Sequence, residues 1–445
     1  MCLKSILKAS KYYNMTYYSL NKKAKGTSFK EAVIQGLAPD KGLYFPKTIT
    51  ALPAEFYSNI DQYSNEEIAF EAIKQFVTPD IPENELKRII TDTLSFHFPI
   101  INFNTNLSTL ELFHGPTLAF KDVGARFMAR CLAYFNREST EEITVLVATS
   151  GDTGSAVANG FLGVKGVQVV ILYPSGKVSA IQEKQLTTLG QNITALEIDG
   201  VFDDCQDMVK RAFLDTEITN TLQLTSANSI NVARWLPQLF YYLFAYKALY
   251  KTYKNIVFSV PSGNFGNICA GMMAQQLGLP VSHFIAANNA NDSVSNYLKT
   301  KTFSLKPSVQ TISNAMDVGN PSNFVRVQEI YHQDFDKLKQ NLSAFSFTDE
   351  DTKQGIKELY TTYNYIADPH GAVGYLACKD YLKLHPDAHC VFLETAHPTK
   401  FLNVVEEVIG IPQELPPQIK SVLSKTKIAT KIGSYNAFKT FLLSR

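Results

Sequence analysis

Hydrophobic residues along this chain follow two distinct periods. Several apolar runs are short, rich in β-branched residues and nearly continuous, which is typical of strands buried on both faces of a parallel sheet. Such runs predict strands at 143–149, 167–174, 192–198, 256–262, 281–286 and 391–398. Between them, apolar residues recur at helical spacing. Strands that alternate with helices predict an α/β fold with mostly parallel sheets.

The helical pattern extends to both sides of this region. It predicts helices at 29–37, 66–76, 179–189, 202–213 and 231–249, and others that begin at Ala156 and Ile268. Turns rich in Gly and Pro divide the segments before residue 100, so we expect residues 15–100 to be mainly helical. Residues 300–350 have no clear period and predict loops.

Composition limits the classes of partner. The 445 residues are 45% hydrophobic and 19% charged, which is ordinary for a globular protein with a large core. The net charge is +1, from 42 basic and 41 acidic residues, which gives no electrostatic footprint for nucleic acid or an anionic membrane. No apolar run approaches the roughly 20 residues that span a bilayer. We therefore expect a cytoplasmic protein that binds small molecules.

The six cysteines form no C-x-x-C pair and indicate scattered reduced thiols. Cys378, His385, His389 and Cys390 lie close in sequence, but their spacing matches no common zinc pattern, so we expect no metal site. Residues 1–14 are basic and too short in apolar residues for a secretory signal. We leave this extension unplaced and expect that Met15 could serve as a second translation start.

A first candidate for chemistry is Lys121, in the segment His114–Asp122 (HGPTLAFKD). Its apolar approach through Leu118, Ala119 and Phe120 could desolvate the amine, which would lower its pKa and favour Schiff-base formation. A solvated lysine that opens a helix fits the local sequence as well.

Two glycine-containing segments follow predicted strands. SGDTGS at 150–155 places small residues and Asp152 at a helix start, where backbone N–H groups attract anions. PSGNFGN at 261–267 has the pattern of a phosphate cradle that needs no lysine. The dinucleotide fingerprint G-x-G-x-x-G and the Walker pattern are absent from it, which disfavours a nucleotide site. Either segment could also be a capped turn without a ligand.

Polar groups gather in two further segments. SANSINVAR at 226–234 sets hydroxyl and amide side chains just before a helix that carries Arg234, a combination that can bind a second phosphate or simply cap the helix. ETAHPTKF at 394–401 follows a buried strand, and its Thr395 could place a neutral hydroxyl beside a pyridine nitrogen.

Together these segments resemble threonine synthases, a family of pyridoxal-phosphate (PLP) enzymes of fold type II. The resemblance covers nearly the whole chain from Met15, including the opening YYSLNKKAKGTSFKEAVIQGLAPDKGLYFP and the segment ISNAMDVGNPSN at 312–323. It implies two open, mostly parallel α/β sheet domains behind the helical region: a catalytic region at 101–445, with a small mobile subdomain at about 125–245 and a large cofactor domain at about 250–445.

The resemblance also implies roles for individual residues. Lys121 would hold PLP as an internal aldimine and then shuttle protons, and Thr395 would face the pyridine nitrogen. The cofactor phosphate would be held by Gly263, Asn264, Phe265, Gly266 and Asn267. The substrate carboxylate or the cofactor hydroxyl would lie near Ser150, Asp152 and Thr153. The substrate phosphate would be gripped by Asn228, Ser229 and Arg234, with Lys400 as the next candidate.

The implied activity is the PLP-dependent conversion of O-phospho-L-homoserine and water to L-threonine and phosphate, by a carbon–oxygen lyase that acts as a monomer or homodimer. Three alternatives remain open at this point. They are another fold type II enzyme such as a serine/threonine dehydratase or cysteine synthase, a catalytically silent PLP-binding relative, and a nucleotide-binding module.

Overall fold

The computed structural model describes residues 16–445; the N-terminal extension at 1–14 and the start at Met15 lie outside them. Strands run at Tyr17–Ser19 (β1), Tyr44–Pro46 (β2), Ile100–Asn104 (β3), Leu107–Glu111 (β4), Ile143–Ala148 (β5), Val167–Pro174 (β6), Ile193–Ile198 (β7), Gln223–Ser226 (β8), Ile256–Pro261 (β9), His283–Asn288 (β10), Leu342–Ser346 (β11), His389–Glu394 (β12) and Thr430–Ile432 (β13).

Helices cover much of the remainder of the described chain. α-Helices run at Phe29–Gln35 (α1), Ala54–Ser58 (α2), Asn65–Val77 (α3), Glu83–Thr93 (α4), Lys121–Asn136 (α5), Asp152–Phe161 (α6), Ala180–Thr187 (α7), Phe202–Ala212 (α8), Thr216–Thr221 (α9), Val232–Trp235 (α10), Leu239–Leu249 (α11), Gly266–Gln276 (α12), Ser293–Thr300 (α13), Phe324–Ile330 (α14), Phe335–Asn341 (α15), Asp349–Tyr363 (α16), Pro369–Leu384 (α17), Leu402–Ile409 (α18), Pro417–Leu423 (α19) and Tyr435–Leu443 (α20). Short 3₁₀ helices run at Ile60–Gln62, Leu236–Gln238, Asn314–Met316 and Pro398–Phe401.

The N-terminal region is mainly helical and also contains an antiparallel ribbon of β1 and β2. Helices α1 and α3 begin with capping boxes, in which Ser28 and Ser64 each exchange hydrogen bonds with the glutamate three residues on. Both helices occur where the helical spacing predicts them. Their apolar faces pack into the same core cluster as residues from both larger sheets.

The larger sheet has six strands in the order β11-β10-β9-β12-β4-β3. All of its neighbouring pairs are parallel except β3 with β4. The central strands β9 and β12 are buried along their whole length, including the polar His389 and Glu394 at the ends of β12.

The second sheet has five parallel strands in the order β13-β7-β6-β5-β8. Its strand β13 comes from the C-terminal part of the chain, and helix α20 joins the apolar cluster beneath β7. The structure departs here from the expected boundary, because residues 430–443 accompany the five-stranded sheet although 250–445 were expected in the cofactor domain.

The expectation of an α/β fold with two open, mostly parallel sheets is confirmed. Three details differ from the pattern. The apolar segment 231–249 is not one helix, because Pro237 sits in a 3₁₀ turn between α10 and α11. The segment 300–350 contains α14, α15 and strand β11 beside its loops. Strands β3, β4 and β8 are interrupted by polar residues and were missed.

Among the described residues, no helix is long and apolar enough to cross a membrane. No group of three or more His, Cys, Asp or Glu side chains within residues 16–445 is arranged to hold a metal ion.

Candidate active site

A cavity of about 520 Å³ lies where the carboxyl ends of strands from both sheets converge. Ala148 ends β5, Ser226 ends β8, Pro261 ends β9 and Thr395 follows β12, and all four line the cavity. In open parallel sheets, this edge is where ligands bind, because helix starts and loops gather there. The topology therefore brings together segments that are far apart in sequence.

Lys121 is the first residue of α5 and lines this cavity. Its backbone approach is fixed: the Phe120 N–H donates to the Thr395 carbonyl at 2.9 Å, and the Tyr241 hydroxyl donates to the Phe120 carbonyl. The buried Asp122 carboxylate accepts the N–H and the hydroxyl of Thr117, which folds the preceding loop. Hydrogen bonds thus hold the segment HGPTLAFKD in place around the Lys121 amine.

The environment of Lys121 favours its neutral form. Burial lowers the pKa of Lys121 to about 8; the Asp152 carboxylate opposes this change, and the Lys400 and Arg234 cations reinforce it. An amine with such a pKa has a substantial neutral fraction near neutral pH, which is the form that attacks a carbonyl or removes a proton.

The segment 263–267 forms an open turn at the start of α12. Phe265 takes a left-handed conformation with φ 61°, and α12 begins at the next residue. Within the described chain, the N–H groups of Gly263, Asn264, Phe265 and Gly266 donate to no protein acceptor. Free N–H groups at the positive end of an 11-residue helix suit a phosphate.

The two asparagines of this turn form hydrogen bonds that hold its backbone. The Asn267 amide donates to the Pro261 carbonyl at 2.7 Å, and the Asn264 carbonyl accepts the Asn323 N–H at 3.1 Å. A Cβ at Gly263 would come within 2.8 Å of the Met316 Cα, so the turn packs directly against backbone there. Glycine is required by this close approach rather than by an unusual φ.

A second polar region is centred on Arg234, whose side chain is only 3% exposed. Gly124 lets α10 approach α5, since a Cβ there would lie 2.5 Å from the Arg234 carbonyl oxygen. The Arg234 Nη1 donates to the Lys121 carbonyl at 3.4 Å, and its buried Nε has no hydrogen-bond partner. Burial lowers the pKa of Arg234 to about 10. A buried guanidinium with a spare donor at a cavity wall is suited to an anion.

Asn228 and Ser229 line the cavity beside Arg234. The Asn228 amide donates to the Ala148 carbonyl at 3.0 Å, and the Ser229 hydroxyl accepts from the Asn323 amide at 3.0 Å. The fully buried Arg326 donates to the carbonyls of Ser229 and Ile230, an interaction that no local sequence pattern indicates.

The segment 150–155 divides between two roles. Ser150 and Thr153 line the cavity. Asp152 is instead 4% exposed and forms an ion pair with Lys400, whose Nζ lies 2.5 Å from its Oδ1. The expectation that Asp152 lies near the cofactor hydroxyl stays a prediction, but its carboxylate is already engaged by protein groups.

Other residues of the cavity wall were not predicted. His370 has Nδ1 against the Asp368 carboxylate, and its Nε2 accepts the Ala315 N–H at 3.2 Å. The neighbouring Asn314 has a buried Oδ1 without a partner. In sequence, the only signal was Asp368 before a helix, which by itself indicates an ordinary N-cap.

The N-terminal region also contributes to the site. The cavity is also lined by Gln35, Leu37, Ala38, Pro39 and Lys41, and by Phe202, Val209 and Leu214 in and after α8. Its wall therefore includes both the N-terminal region and the five-stranded sheet unit.

Comparisons with known proteins agree with this arrangement. Residues 16–94 match the family described as threonine synthase N terminus, residues 105–395 match pyridoxal-phosphate dependent enzymes, and residues 371–442 match the C-terminal region of threonine synthase. The chain is 45% identical to threonine synthase of Serratia marcescens over 436 residues, which covers 96% of this chain and 99% of that protein.

Solved structures show the same likeness. The crystal structure of threonine synthase from Escherichia coli has a TM-score of 0.91 at 40% identity and covers 97% of this chain and 100% of that one. PLP-bound threonine synthase from Brucella melitensis has a TM-score of 0.89 at 33% identity, with coverages of 97% and 99%. The chain therefore belongs to the threonine synthase family of pyridoxal-phosphate-dependent enzymes.

Proposed function

We propose that the chain converts O-phospho-L-homoserine and water to L-threonine and phosphate. The observation that carries this proposal is that two regions suited to anions lie around one amine. Lys121 lines the same cavity as the turn at 263–266, with its free N–H groups, and the Arg234 side chain. This reaction needs such a pair, because one phosphate belongs to the cofactor and the other leaves the substrate.

The residues present fit pyridoxal phosphate. The turn at 263–267 would hold its phosphate through backbone N–H groups, which bind a dianion without competing for protons. Lys121 would hold its aldehyde carbon, and Thr395 would face the pyridine nitrogen with a neutral group. When bound, the cofactor serves as an electron sink for negative charge that develops next to the substrate amino group.

Lys121 is proposed to move the protons. Once the substrate amino group has displaced it, its amine can remove the proton from Cα, since its lowered pKa gives a larger neutral fraction near pH 7 than an ordinary lysine has. A Cβ proton would then pass to a base of the site, the γ-phosphate would leave, and that proton would be returned at Cγ. Water would add its hydroxyl at Cβ, its remaining proton would go to the departing phosphate, and the Lys121 amine would return a proton at Cα.

Arg234, Asn228 and Ser229 are proposed to bind the phosphate that leaves. A planar guanidinium offers two parallel donors to phosphate oxygens, so it fixes direction as well as charge. The enclosing walls would limit water, because reactive intermediates are otherwise quenched early. Closure of the five-stranded sheet unit over the cavity would serve this purpose.

The test is to mix the purified protein with O-phosphohomoserine and measure phosphate and threonine together, with Lys121→Ala as the control. Equal amounts of the two products from wild type alone support the proposal. Deamination of serine or threonine without threonine formation would indicate a dehydratase. No product from protein that carries the cofactor would indicate a catalytically silent member of the family.

A further inference from the structure

Lys400 is an unusually enclosed lysine close to the candidate active site. It lies in the 3₁₀ helix Pro398–Phe401 that follows β12, and its side chain has no solvent exposure. Its Nζ lies 2.5 Å from the Asp152 Oδ1 and donates to the Thr117 carbonyl at 2.9 Å. Both of its partners belong to segments that frame Lys121.

The ion pair of Lys400 and Asp152 joins the two halves of the catalytic region. Asp152 begins α6 behind the five-stranded sheet, whereas Lys400 follows a central strand of the six-stranded sheet. The Gln182 amide also donates to the Asp152 Oδ1 at 2.8 Å. Because these groups already pair with one another, Lys400 has little freedom to reach a substrate phosphate. This differs from the expectation that Lys400 is the next candidate to bind that phosphate.

Three charged side chains act on the Lys121 amine. Asp152 attracts a proton to the Lys121 amine, and Lys400 and Arg234 repel one. Although burial alone would raise the pKa of Asp152, the Lys400 and Lys121 cations hold it well below its ordinary range. Without Lys400, the buried Asp152 carboxylate would keep only the Gln182 amide and the Lys121 amine as partners, and it would favour the protonated amine.

Asp122 is a second buried acid, next to Lys121 in α5. Burial raises its pKa, which the hydrogen bonds from Thr117 and the charges of Lys400 and Arg126 oppose. It is engaged by the Thr117 N–H and hydroxyl, so it shapes the loop before Lys121 rather than contacting the amine.

We propose that Lys400 is a positioning residue that balances the charge of Asp152, so that the neighbouring Lys121 amine is released to its neutral, reactive form. The proposal rests on the assigned role of Lys121. It does not depend on which phosphorylated amino acid is the substrate, since it concerns how readily the free Lys121 amine reacts with the cofactor.

The experiment follows the reaction of Lys121 with pyridoxal phosphate. Cofactor is removed from the full-length protein with hydroxylamine, pyridoxal phosphate is added back over a range of pH, and the rate of growth of the imine absorbance is measured. The midpoint of the rate profile reports the titration of the Lys121 amine, expected near pH 8 in the wild type. Lys400→Met, Asp152→Asn and the double variant are compared with it.

The two single variants should move the midpoint in opposite directions. Lys400→Met removes a repelling cation and leaves the carboxylate, so the midpoint should rise by about one pH unit or more. Asp152→Asn removes the attraction and should lower the midpoint by a similar amount. The double variant should return close to wild type, because both charges are gone.

Lys427→Met is the matched control. Lys427 also forms ion pairs with carboxylates, because its Nζ lies 2.7 Å from Glu183 and from Glu197. It is not among the charges that act on Lys121. Its midpoint should match wild type. If Lys400→Met fails to fold, the downward movement in Asp152→Asn still decides the matter. Unchanged midpoints in the single variants that fold, or a Lys400→Met defect confined to KM for the phosphorylated substrate, would overturn the proposal.

Discussion

Replacing Arg234 by alanine should separate substrates that carry a phosphate from those that do not. The side chain is buried at the cavity wall, its Nε has no partner, and its hydrogen bond to protein is the 3.4 Å contact with the Lys121 carbonyl. Apart from that contact, the guanidinium donates to no group of the described protein. We expect Arg234→Ala to impair reaction with O-phosphohomoserine and to leave slow deamination of serine nearly unchanged.

The size of the effect follows from the kind of contact. A charge-assisted hydrogen bond contributes about 1.5–3 kcal/mol, which corresponds to roughly a 10–150-fold loss in kcat/KM. Stability should respond differently. The pKa of Arg234 is lowered to about 10, and each pH unit of change corresponds to about 1.4 kcal/mol, so burial of this charge costs on the order of 3 kcal/mol. Its removal offsets the lost packing, and Tm of the cofactor-free protein should change little.

The assay is kcat/KM for O-phosphohomoserine and for serine in wild type, Arg234→Ala and Arg234→Lys. The lysine variant keeps the charge but loses the planar fork, so it should also be impaired. Arg126→Ala is the control, because Arg126 lies on the same helix as Lys121 and donates to the Asp92 carbonyl away from the cavity. An equal loss for both substrates would show that Arg234 is structural. No loss for either would place the substrate phosphate elsewhere, with Lys41 and Lys210 in the cavity wall as the next candidates.

Four further predictions concern the cofactor, the phosphate turn, pH and motion. Borohydride should fix the cofactor covalently at Lys121, and peptide mapping that finds the adduct on another lysine would contradict the assignment. The variant Lys121→Ala should still bind the cofactor, while its turnover falls by several orders of magnitude. Gly266→Val should weaken cofactor binding in a fluorescence titration, since its Cβ would lie 3.2 Å from the Ser229 Cβ at the turn; wild-type affinity would move the phosphate site elsewhere. Because the Lys121 pKa of about 8 lies below its ordinary value, the folded cofactor-free protein binds fewer protons than the unfolded chain between pH 8 and about 10.4. The free energy of unfolding of this protein should therefore rise over that window by up to about 3 kcal/mol relative to Lys121→Met. A difference between the two proteins that does not change with pH would refute the assignment. Hydrogen exchange with a phosphonate analogue should show protection around α8, and no protection at saturation would count against closure.

The strands of both sheets could be predicted where burial on two faces makes the sequence continuously apolar. That holds for β5, β6 and β9, but β13 has only three residues and a polar centre at Lys431. Its assignment to the five-stranded sheet depends on contacts with β7, which lies far away in sequence. Local periodicity contains no information about such a pairing.

The candidate site shows the same division. Lys121 and the turn at 263–267 were predicted because an apolar approach to a lysine and a glycine-bracketed helix start leave local marks. The structure brings both into one cavity, as predicted. His370 and Asn314 could not be found in this way, and Lys400 was named only as an alternative phosphate contact, because the surroundings of each depend on segments that only the fold brings near.

Strand β13 has a consequence for the order in which the molecule is made. During synthesis, β7 emerges long before residues 430–443, so one edge of the five-stranded sheet stays unpaired until β13 and α20 have been added. An open strand edge is a template for pairing with other chains. A nascent chain halted before residue 430 would expose Leu196 and Ile198 together with that edge. Premature termination near the C-terminus should therefore yield aggregates rather than a shortened enzyme, although the missing residues never touch the cavity.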